Sequence, residues 1–204
     1  MKSIAHDLEQ LGIQYIVSVR AIPFLYDIRS HHLPTYEHSL RVAEHAKFLG
    51  DKELGLDSAL LATGAVLHDV GKICVPASIL DAPDVTFGEF ALIKKHVIVG
   101  YDLLEDTLPF SACIAGKHHP KYPVVDYPAA LSFEDRGKVD VYVQIVTLCD
   151  FFDALMSRNT KSFARINKQD PFEVKRVLRD NFKNSELMLE LLVDNKLNSY
   201  EQMH

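Results

Sequence analysis

The chain is poor in cysteine: three in 204 residues, Cys74, Cys113 and Cys149. No two are spaced as CxxC and all have apolar neighbours, so they read as buried thiols in a reducing compartment rather than as a disulfide framework. Positive charge is also short, with 22 Lys and Arg against 28 Asp and Glu, a net charge of -6 and a pI near 5.9. That balance carries no electrostatic footprint for a nucleic-acid polymer. A small anionic substrate stays compatible, because a metal site supplies positive charge locally. No basic-then-apolar segment opens the chain and no apolar run approaches the roughly 20 residues of a membrane span. The expectation is a cytoplasmic protein with no membrane partner. Internal repeats, low-complexity stretches and Gly/Ser linkers are missing too, so the chain reads as one domain with a substantial core.

What is present is helical periodicity. Residues 1–30 carry Leu8, Leu11, Ile13, Ile16 and Val17, which suit a helix or a short extended piece. Pro34-Thr35 marks a start for a helix over Tyr36–Leu49, with the stripe Leu40, Val42, Ala43, Ala46 and Leu49. An almost continuously apolar helix is predicted over Asp57–His68, closed by Gly71 as a C-terminal glycine. Thr86 and Glu89 have capping-box spacing, which predicts one helix from Phe87 to Leu104. A further segment from Phe110 reaches His118-His119 and is cut by Pro120, and Lys121–Asp135 reads as a long loop. Val139–Met156 is the core-like helix, and amphipathic helices over Pro171–Phe182 and Ser185–Val193 close the chain. No long stretch alternates with period two, so the fold class is all-α, a helical bundle.

Histidine is abundant, with ten in the chain. His38, His68-Asp69, His96, His118-His119 and Asp150 fall on successive helical segments. Imidazole and carboxylate together suit Zn, Mn and Fe, and this set exceeds the four ligands of a closed structural zinc. It fits two adjacent metals with Asp69 as the candidate bridge. Asp150 stands between Cys149 and Phe151-Phe152 in the most apolar helix, where an ionised carboxylate is costly without a partner. Each of these residues also has an ordinary reading on its own, such as a core histidine or a polar helix end; the ordered series carries the argument. His45, two turns after His38 on the same face, is read as structural, and His6, His31, His32 and His204 receive no role.

The run His68-Asp69-Val70-Gly71-Lys72-Ile73 resembles the signature of the HD superfamily of metal-dependent phosphohydrolases. His38-Ser39-Leu40-Arg41-Val42-Ala43 is similar to its first histidine motif and Asp150-Phe151-Phe152-Asp153-Ala154-Leu155 to its final aspartate motif. Val75-Pro76-Ala77-Ser78-Ile79-Leu80 and Lys95-His96-Val97-Ile98-Val99-Gly100 resemble the HD-GYP branch, known for hydrolysing cyclic di-GMP. The loop departs from that branch: His118-His119-Pro120-Lys121-Tyr122-Pro123 is shorter, lacks the glycines and keeps only Tyr-Pro.

The resemblance implies a single-domain bundle of the HD type over residues 35–204, with residues 1–34 as an N-terminal extension packing on the core. It implies that His38, His68, Asp69 and Asp150 hold one divalent ion and Asp69, His96, His118 and His119 another, Fe or Mn. Some members place a Glu for a third metal where this chain has Pro34, so two are expected. Asp69 and Lys72 are the expected catalytic pair, Lys72 as a point charge for a phosphate oxygen. Asp153 is a candidate to orient a ligand or to cap or face solvent, and Tyr122 and Arg165 are candidates for substrate contact. The expected partner is a small phosphorylated substrate, a nucleotide or a cyclic dinucleotide; the sequence identifies no protein partner. Two other readings stay open, an HD-fold di-iron oxygenase and a non-catalytic sensor domain.

Overall fold

The computed structural model describes residues 3–52, 56–122, 125–157, 166–182 and 192–194. Arg165, Pro123, His204 and most of the expected closing helix over 185–193 lie outside them. The described residues form ten α-helices and one 3-10 turn, with no strand among them, as an all-α chain requires. No described helix is long and apolar enough to cross a membrane. The chain divides into two compact units, residues 1–149 and 150–204.

In the first unit, residues 1–30, which could be helical or extended by sequence, fold into α1 (Ile4–Gln10) and most of α2 (Tyr15–His31). Gly12, at φ 71°, ends α1: its N–H reaches Glu9 O and the Ile13 N–H reaches Leu8 O, a Schellman closure over two buried side chains. The next helix, α3 (Leu33–Lys52), starts earlier than expected, because Pro34 in a first turn costs no hydrogen bond. Its buried face carries Thr35, His38, Val42, His45, Ala46 and Leu49, so two imidazoles point inward among aliphatics. The apolar α4 (Ser58–Leu67) is capped by the Asp57 side chain accepting from Leu60 N, and Leu61 through Leu67 are buried.

The glycine after α4 is not the helix stop that was expected. Gly71 lies within the 3-10 turn Val70–Cys74, and among the described glycines only Gly12 has a positive φ. Its role is close approach. A Cβ there would collide with His96 O and come 2.5 Å from Gly100 N. After α5 (Ala77–Leu80), the single helix expected over Phe87–Leu104 proves to be two, α6 (Phe87–Ile93) and α7 (His96–Leu104). The capping box at Thr86 and Glu89 is present. The break at Lys94-Lys95 makes His96 the first residue of α7 rather than a helix-interior residue.

Helix α8 (Pro109–Lys117) ends with His118 as its C-cap, and α9 (Phe133–Ser157) begins six residues before Val139, inside the expected loop. Ser132 and Asp135 explain this: the Ser132 hydroxyl accepts from Asp135 N and donates to the Asp135 carboxylate, an N-terminal cap the sequence reading passed over. In the second unit, α10 (Pro171–Asn181) buries Val174 and Leu178 and is capped by Asp170. There the Lys168 ammonium donates to Met156 O, and Phe151 meets Phe182 edge to face.

Gly71→Ala should cost about 1–3 kcal/mol or more, because its clash is with backbone that cannot rotate away. Gly64→Ala meets only the tip of Ile114 and should cost less, and Gly88→Ala, with nothing within 4 Å, should be neutral or slightly stabilising. Thermal unfolding of the three variants checks the ranking.

Candidate metal centre

Asp69 is the hub of the first unit. It sits between α4 and the 3-10 turn, 1% exposed, and four imidazoles from four different helical segments face it. His38 Nε2 and His68 Nε2 lie 3.7 and 3.4 Å from Asp69 Oδ2. His96 Nε2 and His118 Nε2 lie 3.4 and 3.8 Å from Oδ1. Lys72, one 3-10 turn along, donates to Oδ2. Oδ1 itself is buried with no hydrogen-bond partner.

The tautomers follow from the backbone. His68 Nδ1 is 2.7 Å from Ala65 O, His96 Nδ1 is 2.6 Å from Ile93 O, and His118 Nδ1 is 2.9 Å from Ala115 O. A carbonyl only accepts, so each Nδ1 carries the proton and each neutral ring presents an Nε2 lone pair. His96 Nε2 and His118 Nε2 are 3.3 Å apart, yet with both protons committed elsewhere neither can donate to the other. Two facing lone pairs beside an unbonded carboxylate oxygen call for a cation, and backbone-anchored imidazoles are how metal ligands are held. The donor atoms of His68, Asp69 and His118, and separately of His96, His118 and His119, lie within 4.8 Å of one another, so these clusters can hold metal ions.

The electrostatics agree. Burial works to raise the Asp69 carboxyl, but the Lys72 ammonium and the imidazoles beside it outweigh that and hold it well below the usual carboxylate range. Burial pushes His96 down to about 4 against the opposing pull of Asp69. Burial, with His119 and His68 nearby, pushes His118 well below its ordinary value. The centre therefore offers an ionised carboxylate and neutral imidazoles, the protonation states a metal needs.

His119 is half-buried beside His118, with ring centroids 4.2 Å apart. Tyr122 turns back from it, Tyr122 N donating to His119 O, and its ring lies 4.6 Å from that of His119. Tyr127 binds Asp140 through its hydroxyl and lies under the Lys117 ammonium at 3.7 Å. A cavity of about 340 Å³ opens there, lined by His119, Tyr122, Lys117 and Asp140. Sequence reasoning missed Thr147, whose hydroxyl donates to the His118 carbonyl and to Val143 O; a threonine in an otherwise apolar stretch was its only signal. Asp150 and Asp153 belong to the second unit, on one face of α9. Asp150 is half-buried, and Asp153 is buried beside the Ser157 hydroxyl, which rules out a surface role for it. His45 is buried on α3.

A helical unit with a buried carboxylate ringed by backbone-anchored imidazoles defines a class of metal-site fold. The HD domain model matches residues 35–155, and the chain belongs to that family. The chain is 35% identical over 121 residues to the cyclic di-GMP phosphodiesterase response regulator RpfG of Xanthomonas campestris, covering 55% of this chain and 31% of that protein. It is 32% identical over 155 residues to the 3'3'-cGAMP-specific phosphodiesterase 1 of Vibrio cholerae, covering 72% and 34%. A cyclic di-GMP phosphodiesterase of Thermotoga maritima is 31% identical over 134 residues, covering 62% and 35%. The chain thus spans about a third of the length of these relatives. Among solved structures, the HD domain of the L. monocytogenes phosphodiesterase PgpH in complex with cyclic-di-AMP superposes with a TM-score of 0.57. At 18% identity over 89% of this chain and 98% of that one, it shares the fold.

Two measurements test the centre without an activity assay. Metal at a hundredfold excess over its Kd should stabilise the protein by about 2.7 kcal/mol, reversed by chelator, and Asp69→Asn should lose that response. In chelator, stability should fall as pH drops from 6.5 toward 4. In that window an unfolded chain takes up the proton that buried His96 refuses, and His96→Gln should flatten the slope.

Proposed function

We propose that this chain is a metal-dependent phosphodiesterase with a two-metal site, acting on a cyclic dinucleotide such as cyclic di-GMP. The observation that carries the reading is the unbonded Asp69 Oδ1 among the Nε2 atoms of His96 and His118. In this reading His38, His68, Asp69 and Asp150 hold one divalent ion, and Asp69, His96, His118 and His119 hold the other, Fe or Mn. The converging distances around Asp69 support five of these, and the grouping of His119 with His96 and His118 supports a sixth. Asp150 follows from the family order.

Bound metal supplies a nucleophile at neutral pH by lowering the pKa of water, and neutralises charge on the phosphoryl oxygens. The protein's own groups do the rest. Backbone carbonyls of Ala65, Ile93 and Ala115 fix three imidazoles in the ligating tautomer. Lys72, 12% exposed beside Asp69, is a cation available to a non-bridging oxygen. This lysine favours phosphate hydrolysis over oxygenase chemistry at the same ligand set. Burial of the carboxylate and imidazoles keeps bulk water off the ligands.

Elemental analysis of anaerobically purified protein should find about two equivalents of Fe or Mn, with turnover of bis-p-nitrophenyl phosphate and cyclic di-GMP. Asp69→Ala should abolish metal retention and hydrolysis with helix content intact, while His45→Ala should be close to silent. Lys72→Met should keep its metal and lose roughly 10²-fold in kcat. Metal without turnover of either compound would sink the hydrolase reading.

A further inference from the structure

Helix α6 is out of place for a soluble helix: Phe87, Phe90, Ala91 and Leu92 are exposed and none of its seven residues is buried. At its C-terminal end the Ile93 carbonyl accepts the Nδ1–H of His96. Phe90 and Tyr122 meet nearly at right angles, with centroids 6.4 Å apart and planes at 81°. Tyr122 in turn lies 4.6 Å from the ring of His119 and 6.3 Å from that of His96. The Lys94 ammonium sits over both rings, 4.7 Å from Phe90 and 5.6 Å from Tyr122. An aromatic corner with a cation at its apex thus adjoins the clusters that can hold metal.

We propose that Phe90, Tyr122 and Lys94 form the subsite that seats a nucleobase of the substrate, a reading that rests on the phosphodiesterase function above. Two perpendicular rings offer a base one face to stack on and one edge to abut, and stacking tolerates any base. Lys94 adds a donor for a base carbonyl or a flanking phosphate. The corner is continuous with His96 and His119, so a base held there leaves its phosphodiester beside the ligands. The cavity on the Lys117 side is a weaker candidate, since its cation and carboxylate are already engaged by Tyr127. Phe90 is 39% exposed, which leaves it open to a ligand.

The chain contains no tryptophan, so Phe90→Trp installs a single indole at the corner, excited selectively beyond the absorption of the eight tyrosines. Cyclic di-GMP should quench its emission saturably in the full chain, and dimethyl phosphate, which has no base, should not. In kinetics, Phe90→Ala should raise KM for cyclic di-GMP roughly tenfold with a smaller effect on kcat and unchanged metal content, while Phe133→Ala, an exposed phenylalanine on α9, should leave KM alone. Absence of quenching, or a Phe90→Ala KM equal to the parent's, overturns the subsite even if hydrolysis is robust. Quenching by cyclic di-GMP in a protein that hydrolyses no phosphodiester keeps the subsite and removes the hydrolase reading.

Discussion

A buried carboxylate must be matched or it will not stay ionised, and in this chain the match is made by geometry at a distance. Asp69 is fully enclosed, yet its carboxyl is held acidic by Lys72 and the surrounding imidazoles. Those imidazoles are oriented by backbone carbonyls at the ends of α4 and α8 and by Ile93, at the end of α6. Carbonyls at a helix C-terminus have no intrahelical partner. At each helix end here a carbonyl lone pair accepts a hydrogen bond from the histidine's Nδ1–H and leaves Nε2 aimed at Asp69. The capping requirement of the fold and the tautomer requirement of the site are met by the same bonds.

Placing several helix ends around one carboxylate leaves no room for side chains between them. Gly71 and Gly100 are the consequence, since Gly71 lies against both the His96 carbonyl and the Gly100 amide. The interruption of the α6–α7 run at Lys94-Lys95 belongs to the same constraint. The break leaves the Ile93 carbonyl at the end of α6 for the His96 imidazole, where an unbroken helix would tie it to the backbone N–H of Val97.

The loop after His119 is where this chain departs from the HD-GYP pattern, and the structure gives that departure a shape. Tyr122 packs on the His119 ring, and Tyr127 is held by Lys117, Asp140 and, at 5.3 Å, Arg136. The surface beside the candidate ligands is therefore aromatic, with the Lys94 and Lys117 ammonium groups over its rings.

Much of this was legible in the sequence for local reasons. The apolar stripe of α3 and the Thr86–Glu89 box are statements about residues three or four apart, where periodicity and capping act, and the ordered histidines and aspartates were legible from residue type and order. The reading went wrong at one place because a contact between distant segments decided, and at another because a local cap was passed over. Gly71 looked like a helix stop but serves a crossing with α7, and Ser132-Asp135, read as loop, starts α9. Sequence order likewise brought the seven candidate ligands into line without showing that four imidazoles face one carboxylate, or that Phe90 and Lys94 join Tyr122 at its edge. Residue type and helical spacing determine which side chains could bind a metal. Which nitrogen each presents, and to what, depends on carbonyls and helix ends brought together only by packing.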